Sequence, residues 1–90
     1  MRWWRPPARA VLVAADPDAA LLSAAAALRR LGARITRYDS EAGTLEAQVA
    51  PAATVRVRTT AAEDGATRVH LEGDGAARGV IRHFRAALTA

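Results

Sequence analysis

A helix with clear start and stop signals lies between residues 16 and 32, and it constrains the fold more than any other feature. Asp16 is a good N-cap, Pro17 suits the first helical position, and Gly32 is the residue type that most often ends a helix in the left-handed conformation. The apolar stripe of the predicted helix is centred on Leu21, Ala25 and Leu28.

Segments with strand-like patterns lie on both sides of this helix. Ala8–Ala15 is apolar and predicts either a strand covered on both faces or a short edge strand. Beyond the helix, apolar and polar residues alternate with a period of two, which is typical of half-buried strands. These segments are Arg34–Asp39, which turns through Ser40–Gly43 into Thr44–Val49, and then Thr54–Thr60 and Thr67–Glu72, with turns expected at residues 50–53 and 61–65. The predicted order assigns only three strands, in hairpin order, to these four segments.

A second helix is predicted over Ala76–Ala87, with an apolar stripe of Val80, Ile81, Phe84 and Leu88. The predicted order is therefore β-α-β-β-β-α. It corresponds to an α+β two-layer sandwich, in which a mainly antiparallel four-stranded sheet carries two helices on one face. We expect residues 8–90 to form a single domain and residues 1–7 to form an N-terminal arm.

The core of such a domain is small. Alanine accounts for 24 of the 90 residues, whereas Leu, Val, Ile, Phe, Tyr, Trp and Met together supply only 22. Because a short chain buries a modest share of its surface, we expect marginal stability or support from a homo-oligomer or a protein partner.

The positive charge is unevenly distributed. All 13 basic residues are arginine, and three of them lie in the first nine residues. Residues 10–90 carry 10 arginines against 9 acidic residues, a net charge of +1. The high isoelectric point is typical of nucleic-acid-binding proteins, but here much of it comes from the arm. A GC-rich coding sequence explains the excess of arginine, and selection for phosphate or carboxylate recognition is the alternative.

Nothing in the sequence forms a catalytic constellation. The absence of cysteine excludes disulfides, thiolate zinc sites and cysteine nucleophiles. His70 and His83 are the only imidazoles, and no carboxylates converge on them in the pattern; Ser23 and Ser40 have no base near them. We therefore predict a protein that is not an enzyme and needs no cofactor or metal.

The glycine-rich stretch from Gly73 to Gly79 lies between a strand and a helix, where phosphate-binding loops occur. It lacks the Lys-Ser/Thr pair of those loops. We interpret it as a tight turn in which Asp74 or a neighbour caps the helix. The apolar run at residues 10–15 is too short for a transmembrane helix, so we expect no transmembrane segment and a cytoplasmic location.

Polar residues on the predicted strands share one face of the sheet if the hairpin registers are the simplest ones. They are Arg56, Arg58, Arg68, His70, Glu46, Gln48 and Glu72. We expect Glu46 to lie opposite Arg58, and Arg58 to face Arg68. A solvated surface, a protein interface and a nucleic-acid-binding surface are the open alternatives, although RNA-binding sheets use stacking aromatics that are scarce here.

Two further groups of residues are candidates for interaction. Arg78, Arg82 and Arg85 form a stripe on the last helix, which either faces solvent or follows a phosphate backbone. The opening segment, MRWWRPPAR, contains Trp3 and Trp4, and its prolines disfavour a helix. We expect the tryptophans to pack back onto the domain. Contact with a partner protein, with nucleic acid or with a lipid interface is the alternative.

The hairpin "YDSEAGTLEA", followed by "DGATRV" and a C-terminal helix, resembles small uncharacterised bacterial α+β domains. Similar patterns occur in accessory lipoproteins of outer-membrane assembly and in START-like helix-grip proteins. The helix-grip resemblance implies a cavity between helix and sheet that binds a small ligand, and it transfers no functional residues.

The charge distribution and the missing catalytic groups favour a small non-enzymatic interaction or structural domain that works as an oligomer or as part of a larger assembly. Nucleic-acid binding through an arginine-rich surface is the main alternative. Binding of a small ligand in a helix-grip-like cavity is the second.

Overall fold

The computed structural model describes residues 9–50, 53–73 and 77–89. In chain order the elements are β1 (Arg9–Val13), α1 (Pro17–Arg30), β2 (Arg34–Asp39), β3 (Thr44–Ala50), β4 (Ala53–Ala61), a 3₁₀ turn (Glu63–Gly65), β5 (Thr67–Gly73) and α2 (Arg78–Thr89). The strands form one sheet in the order β1-β5-β4-β3-β2, with every neighbouring pair antiparallel.

Both helices cover the same face of this sheet. α1 packs across β2, β3, β4 and β5, and α2 packs against α1 and β5. The predicted α+β class, the two helices and the antiparallel sheet are confirmed. The predicted count of four strands was wrong: the segments between the helices form four separate strands, so the sheet has five strands and the order is β-α-β-β-β-β-α. Arg34–Asp39 and Thr44–Ala50 are two arms of one hairpin, separated by a turn that ends at Gly43 with φ +71°.

The helix signals found in the sequence act as expected. The Asp16 carboxylate accepts a hydrogen bond from the Ala19 amide at 2.8 Å, which satisfies one of the free N–H groups of the first turn. Gly32 has φ +89° just past the end of α1, where a side chain would be strained. The apolar face of α1 is buried, and it includes Ala20, Leu21, Ala24, Ala25, Ala27 and Leu28.

The core lies between the helices and one face of the sheet. Alternate strand residues point into it because successive side chains in a strand project to opposite faces. The buried strand residues include Val11, Leu45, Ala47, Val55, Val57, Val69 and Leu71. Phe84 of α2 is the largest fully buried side chain. Alanine supplies much of the rest, so the core contains few large side chains.

β1 is an edge strand, which confirms one of the two interpretations of its apolar sequence. It pairs with β5 on one side through Arg9↔Leu71 to Val13↔Thr67. Val11 faces the core, whereas Leu12 points to the other side of the sheet and is 62% exposed. The strand is therefore covered on one face only.

Candidate interaction surfaces

The sheet surface that faces away from the helices, called the open face below, carries a row of alternating charges. The row crosses four strands, from β5 to β2, as Glu72, Arg56, Glu46 and Arg37. Each residue lies directly opposite a residue of the other sign in the neighbouring strand. Cross-strand neighbours of opposite charge stabilise a sheet by a few tenths of a kcal/mol to about 1 kcal/mol each. The positive charge of this row is thus balanced within the protein.

The pairing of Glu46 differs from the prediction. Glu46 lies opposite Arg56, and Thr44 takes the place opposite Arg58. The expected turn at residues 50–53 is shorter in the structure, because β3 continues to Ala50, which pairs with Ala53. A bulge between Gln48 and Ala50 restores the alternation of faces. Together these features shift the register of β3 against β4 by two residues from the expected one.

The expected contact between Arg58 and Arg68 was also wrong. Arg58 lies opposite His70, and Arg68 lies opposite Thr60. The loop between β4 and β5 spans residues 62–66 and is closed by a hydrogen bond from the Ala62 amide to the Ala66 carbonyl oxygen at 2.8 Å. Its centre is one residue later than the predicted turn at residues 61–65, and a one-residue displacement of the centre moves the pairing by two. The like-charge repulsion that the sequence suggested is therefore avoided.

Arg58 and Arg68 remain without a compensating neighbour. Within the described part of the chain, neither guanidinium has a hydrogen-bond or ion-pair partner. Between them, the Thr60 hydroxyl oxygen lies 3.3 Å from Nε2 of His70. Arg58 on β4 and Arg68 on β5 thus lie further along these strands than the charged row, with no acidic residue directly opposite them in the described residues.

The open face contains a shallow depression of about 290 Å³. Its charged lining includes Arg37, Arg56, Arg58, Asp39, Glu46 and Glu72, so positive and negative side chains are equal in number. Small-molecule sites usually have volumes of about 300–1,000 Å³ and mainly apolar walls. This depression is at the lower end in size, and six of its ten lining residues are charged, which is more typical of a solvated surface or a protein interface.

The candidate arginines do not form one surface. Arg56, Arg58 and Arg68 lie on the open face, as predicted, and share it with Glu46, Gln48, His70 and Glu72. Arg82 and Arg85 are exposed residues of α2, in the helical layer on the other side of the sheet. Arg78 begins α2, but its side chain lies outside the described residues, as do Trp3 and Trp4.

The two histidines lie in different layers of the described structure. His70 is half-buried on the open face, while His83 is exposed on α2. No group of three or more His, Asp or Glu side chains in residues 9–50, 53–73 and 77–89 has a geometry suited to a metal ion.

The first glycine of the glycine-rich stretch has a packing role. A Cβ atom on Gly73 would lie 3.1 Å from Cβ of Ala77 and 3.1 Å from the carbonyl oxygen of Thr54. A glycine therefore allows β5 to pass close to both β4 and α2. The predicted cap at Asp74 lies outside the described residues.

The two edges of the sheet differ in a way that the sequence did not reveal. The β2 edge has the features that discourage strand addition: Arg34, Arg37 and Asp39 are charged and exposed, and a bulge interrupts its pairing between Ile35 and Arg37. The β1 edge is uncharged from Ala10 to Val13, and its pairing with β5 is regular. A run of aliphatic residues indicated a strand there, but only the strand order shows that no other strand of residues 9–50, 53–73 and 77–89 pairs with its second side.

A second depression lies along this β1 edge. It has a volume of about 190 Å³ and lies between β1 and α2, lined by Ala10, Val11, Ile81, Phe84 and Arg85. Four of its five lining residues are aliphatic or aromatic and the fifth is Arg85, so polar and apolar atoms both line it. The edge strand β1 and this groove thus occur at the same margin of the described structure.

Comparisons of the chain with protein-family models, with curated proteins and with solved structures find no match. Neither helix in the described ranges has the length and apolar content required to cross a membrane.

Proposed function

We propose that this chain is a non-enzymatic structural domain that functions by assembling with further copies of itself. The observation that supports this proposal is the open edge of β1. An edge strand presents unpaired N–H and C=O groups and invites another strand, so proteins usually protect such edges with charge, bulges or cover. β2 is protected by three charged residues and a bulge, whereas the described part of the chain gives β1 a single charged residue, Arg9, and no bulge.

The small core provides a second argument. Ala20, Ala24 and Ala27 are fully buried at positions where larger side chains would bury more apolar area. At the same time Leu12, which lies in the edge strand β1, is 62% exposed. Association that buries exposed apolar area stabilises the folded chain by mass action.

Thermal unfolding at several protein concentrations tests this function. If unfolding is coupled to dissociation of a dimer, a tenfold rise in concentration adds about 1.4 kcal/mol per dimer, or about 0.7 kcal/mol per chain. For a domain of this size the melting temperature then rises by about 3–5 °C for each tenfold step. A melting temperature that is constant from about 1 μM to about 500 μM, together with a mass of 9.5 kDa throughout, contradicts the proposal.

Nucleic-acid binding is a second candidate, favoured by the unpaired Arg58 and Arg68 on the open face. The acidic residues in the neighbouring row argue against a continuous phosphate track, and so does the placement of Arg82 in the other layer.

The salt dependence of binding to a single-stranded oligonucleotide tests this candidate. If the two arginines contact phosphates, the Arg58→Gln/Arg68→Gln variant lowers the slope of log affinity against log salt by about 1.4. The Arg29→Gln/Arg82→Gln variant removes two exposed arginines from the helices and is the matched control. Absence of binding at low salt eliminates the candidate.

A further inference from the structure

The β1 edge matches one partner in particular, which is the β1 edge of a second copy. We propose that two chains pair β1 to β1 in an antiparallel arrangement, with a two-fold axis at Val11, to give one continuous ten-stranded sheet. This inference rests on the proposed self-assembly and specifies its surface, geometry and stoichiometry.

The residues of β1 are complementary to themselves in this register. Val11 lies opposite Val11 of the second copy, and Ala10 lies opposite Leu12 of the second copy, so that a small side chain faces a large one. Arg9 lies opposite Val13, and the two arginines are therefore kept apart. A register centred on Ala10 would place Arg9 opposite Val11, a position that faces the core.

Both faces of the junction gain buried apolar surface. On the open face, the exposed Leu12 covers Ala10 of the second copy, beyond which lies His70 in β5. On the helical face, Val13 and Ile81 are only partly buried in one chain, and the groove between β1 and α2 opens at this edge. The second copy's β1 and α2 lie against that groove. The single β1–β1 contact thus covers both Leu12 on the open face and the groove on the helical face.

The arrangement also explains why assembly stops at two chains. A two-fold contact uses the same edge of both copies, so the dimer has no free β1 edge. The two ends of the ten-stranded sheet are then both β2, where charges and a bulge discourage further pairing. A closed dimer, and not a fibre, is the expected product.

The contact is small, and its size determines the experiment. Two five-residue strands pair over about 17 Å, so even with the groove the buried area falls in the range of weak or transient complexes. We therefore expect a dissociation constant in the micromolar range, and the mass must be followed over a series of concentrations.

Introducing charged residues on both sides of the junction tests the register directly. Residues 10 and 12 face each other across the two-fold axis, and both are exposed in the single chain. The Ala10→Lys/Leu12→Lys variant places lysine opposite lysine twice, and the Ala10→Glu/Leu12→Glu variant does the same with glutamate. An equimolar mixture of the two variants places opposite charges there. The Leu22→Lys/Ser23→Lys variant adds the same charge to exposed residues of α1 and is the control.

Sedimentation of the full chain and these variants from about 1 μM to about 500 μM gives the readout. We expect the wild type and the control to approach twice 9.5 kDa, each charge variant to remain near 9.5 kDa, and the mixture to recover the dimer. Thermal melts at the lowest concentration verify that every variant is folded.

If the wild type dimerises but both charge variants do so equally well, or if the mixture stays monomeric, the β1 junction is wrong and self-assembly stands. If the wild type is monomeric throughout, both proposals are wrong. Oligomers larger than two contradict the closed dimer.

Discussion

The Arg30 guanidinium, at the C-terminal end of α1, donates a hydrogen bond to the backbone carbonyl oxygen of Ala87 in the last turn of α2. The last carbonyl groups of a helix have no partner within the helix, so a cation from another element satisfies one of them and also interacts favourably with the helix dipole. Arg30 therefore fixes the end of α2 to α1.

Replacing Arg30 by methionine keeps most of the aliphatic stem and removes the donor. We expect the Arg30→Met variant to lose about 1 kcal/mol of unfolding free energy, because the bond is exposed to solvent and has a modest net contribution. Urea unfolding of the full chain measures the loss. Arg29→Met is the matched control, since Arg29 is exposed in the same turn; an equal loss in both variants contradicts the role of the hydrogen bond.

Gly43 and Thr59 approach closely where the β2–β3 turn meets β4. The Thr59 hydroxyl donates to the Gly43 carbonyl oxygen at 3.0 Å, and a Cβ atom on Gly43 would lie 2.6 Å from that hydroxyl oxygen. Gly43 also has φ +71°. The Gly43→Ala variant therefore has both backbone strain and a steric clash, with an expected loss of about 2–4 kcal/mol.

Gly32→Ala provides the comparison for this site. Gly32 has a similar positive φ, but nothing lies within 4 Å of its missing Cβ atom, so we expect only the strain of about 1–2 kcal/mol. Adding Thr59→Ala to Gly43→Ala removes the clashing hydroxyl. A double-mutant cycle then gives a coupling of opposite sign to the single losses, and strict additivity contradicts the clash.

Phe84 fills more of the core than any other buried side chain, since it is 1% exposed in a core otherwise rich in alanine. Phe84→Ala removes about 3–5 kcal/mol. Small domains have a total stability of about 5–15 kcal/mol, so we expect this variant to be largely destabilised in circular-dichroism melts. Tyr38→Ala, at an aromatic residue that is 40% exposed on β2, should change the melting temperature much less. Equal effects in the two variants would show that α2 does not anchor the core.

Local signals in the sequence were sufficient to predict the elements. Asp16, Pro17 and Gly32 predicted α1 to within one residue, because caps and breakers act within a single turn. The period-two alternation predicted that Arg56, Arg58 and Arg68 share a face, and this prediction is confirmed. Both observations depend only on neighbours along the chain.

Register and strand order could not be predicted from local sequence patterns alone. The loop at residues 62–66 includes Asp64 with φ +60°, and its length determines which residue faces Arg58. A shift of two residues leaves the alternation unchanged, so the pattern of apolar residues does not report it. The open edge of β1 depends on which strands are neighbours in space, and the apolar sequence of residues 10–13 is compatible with a central strand as well as with an edge.

Hydrogen exchange of the backbone amides at two protein concentrations shows directly whether the β1 strands of two chains pair with each other. In an edge strand, alternate amides point away from the sheet and exchange readily unless a second strand pairs with them. We expect the outward amides among residues 10–13 of β1 to exchange more slowly as the concentration rises from about 1 μM to about 500 μM. The exchange rates of the amides of β2, at residues 34–39, should not change. Exchange in β1 that is independent of concentration, or protection that appears at β2 instead, would contradict this pairing.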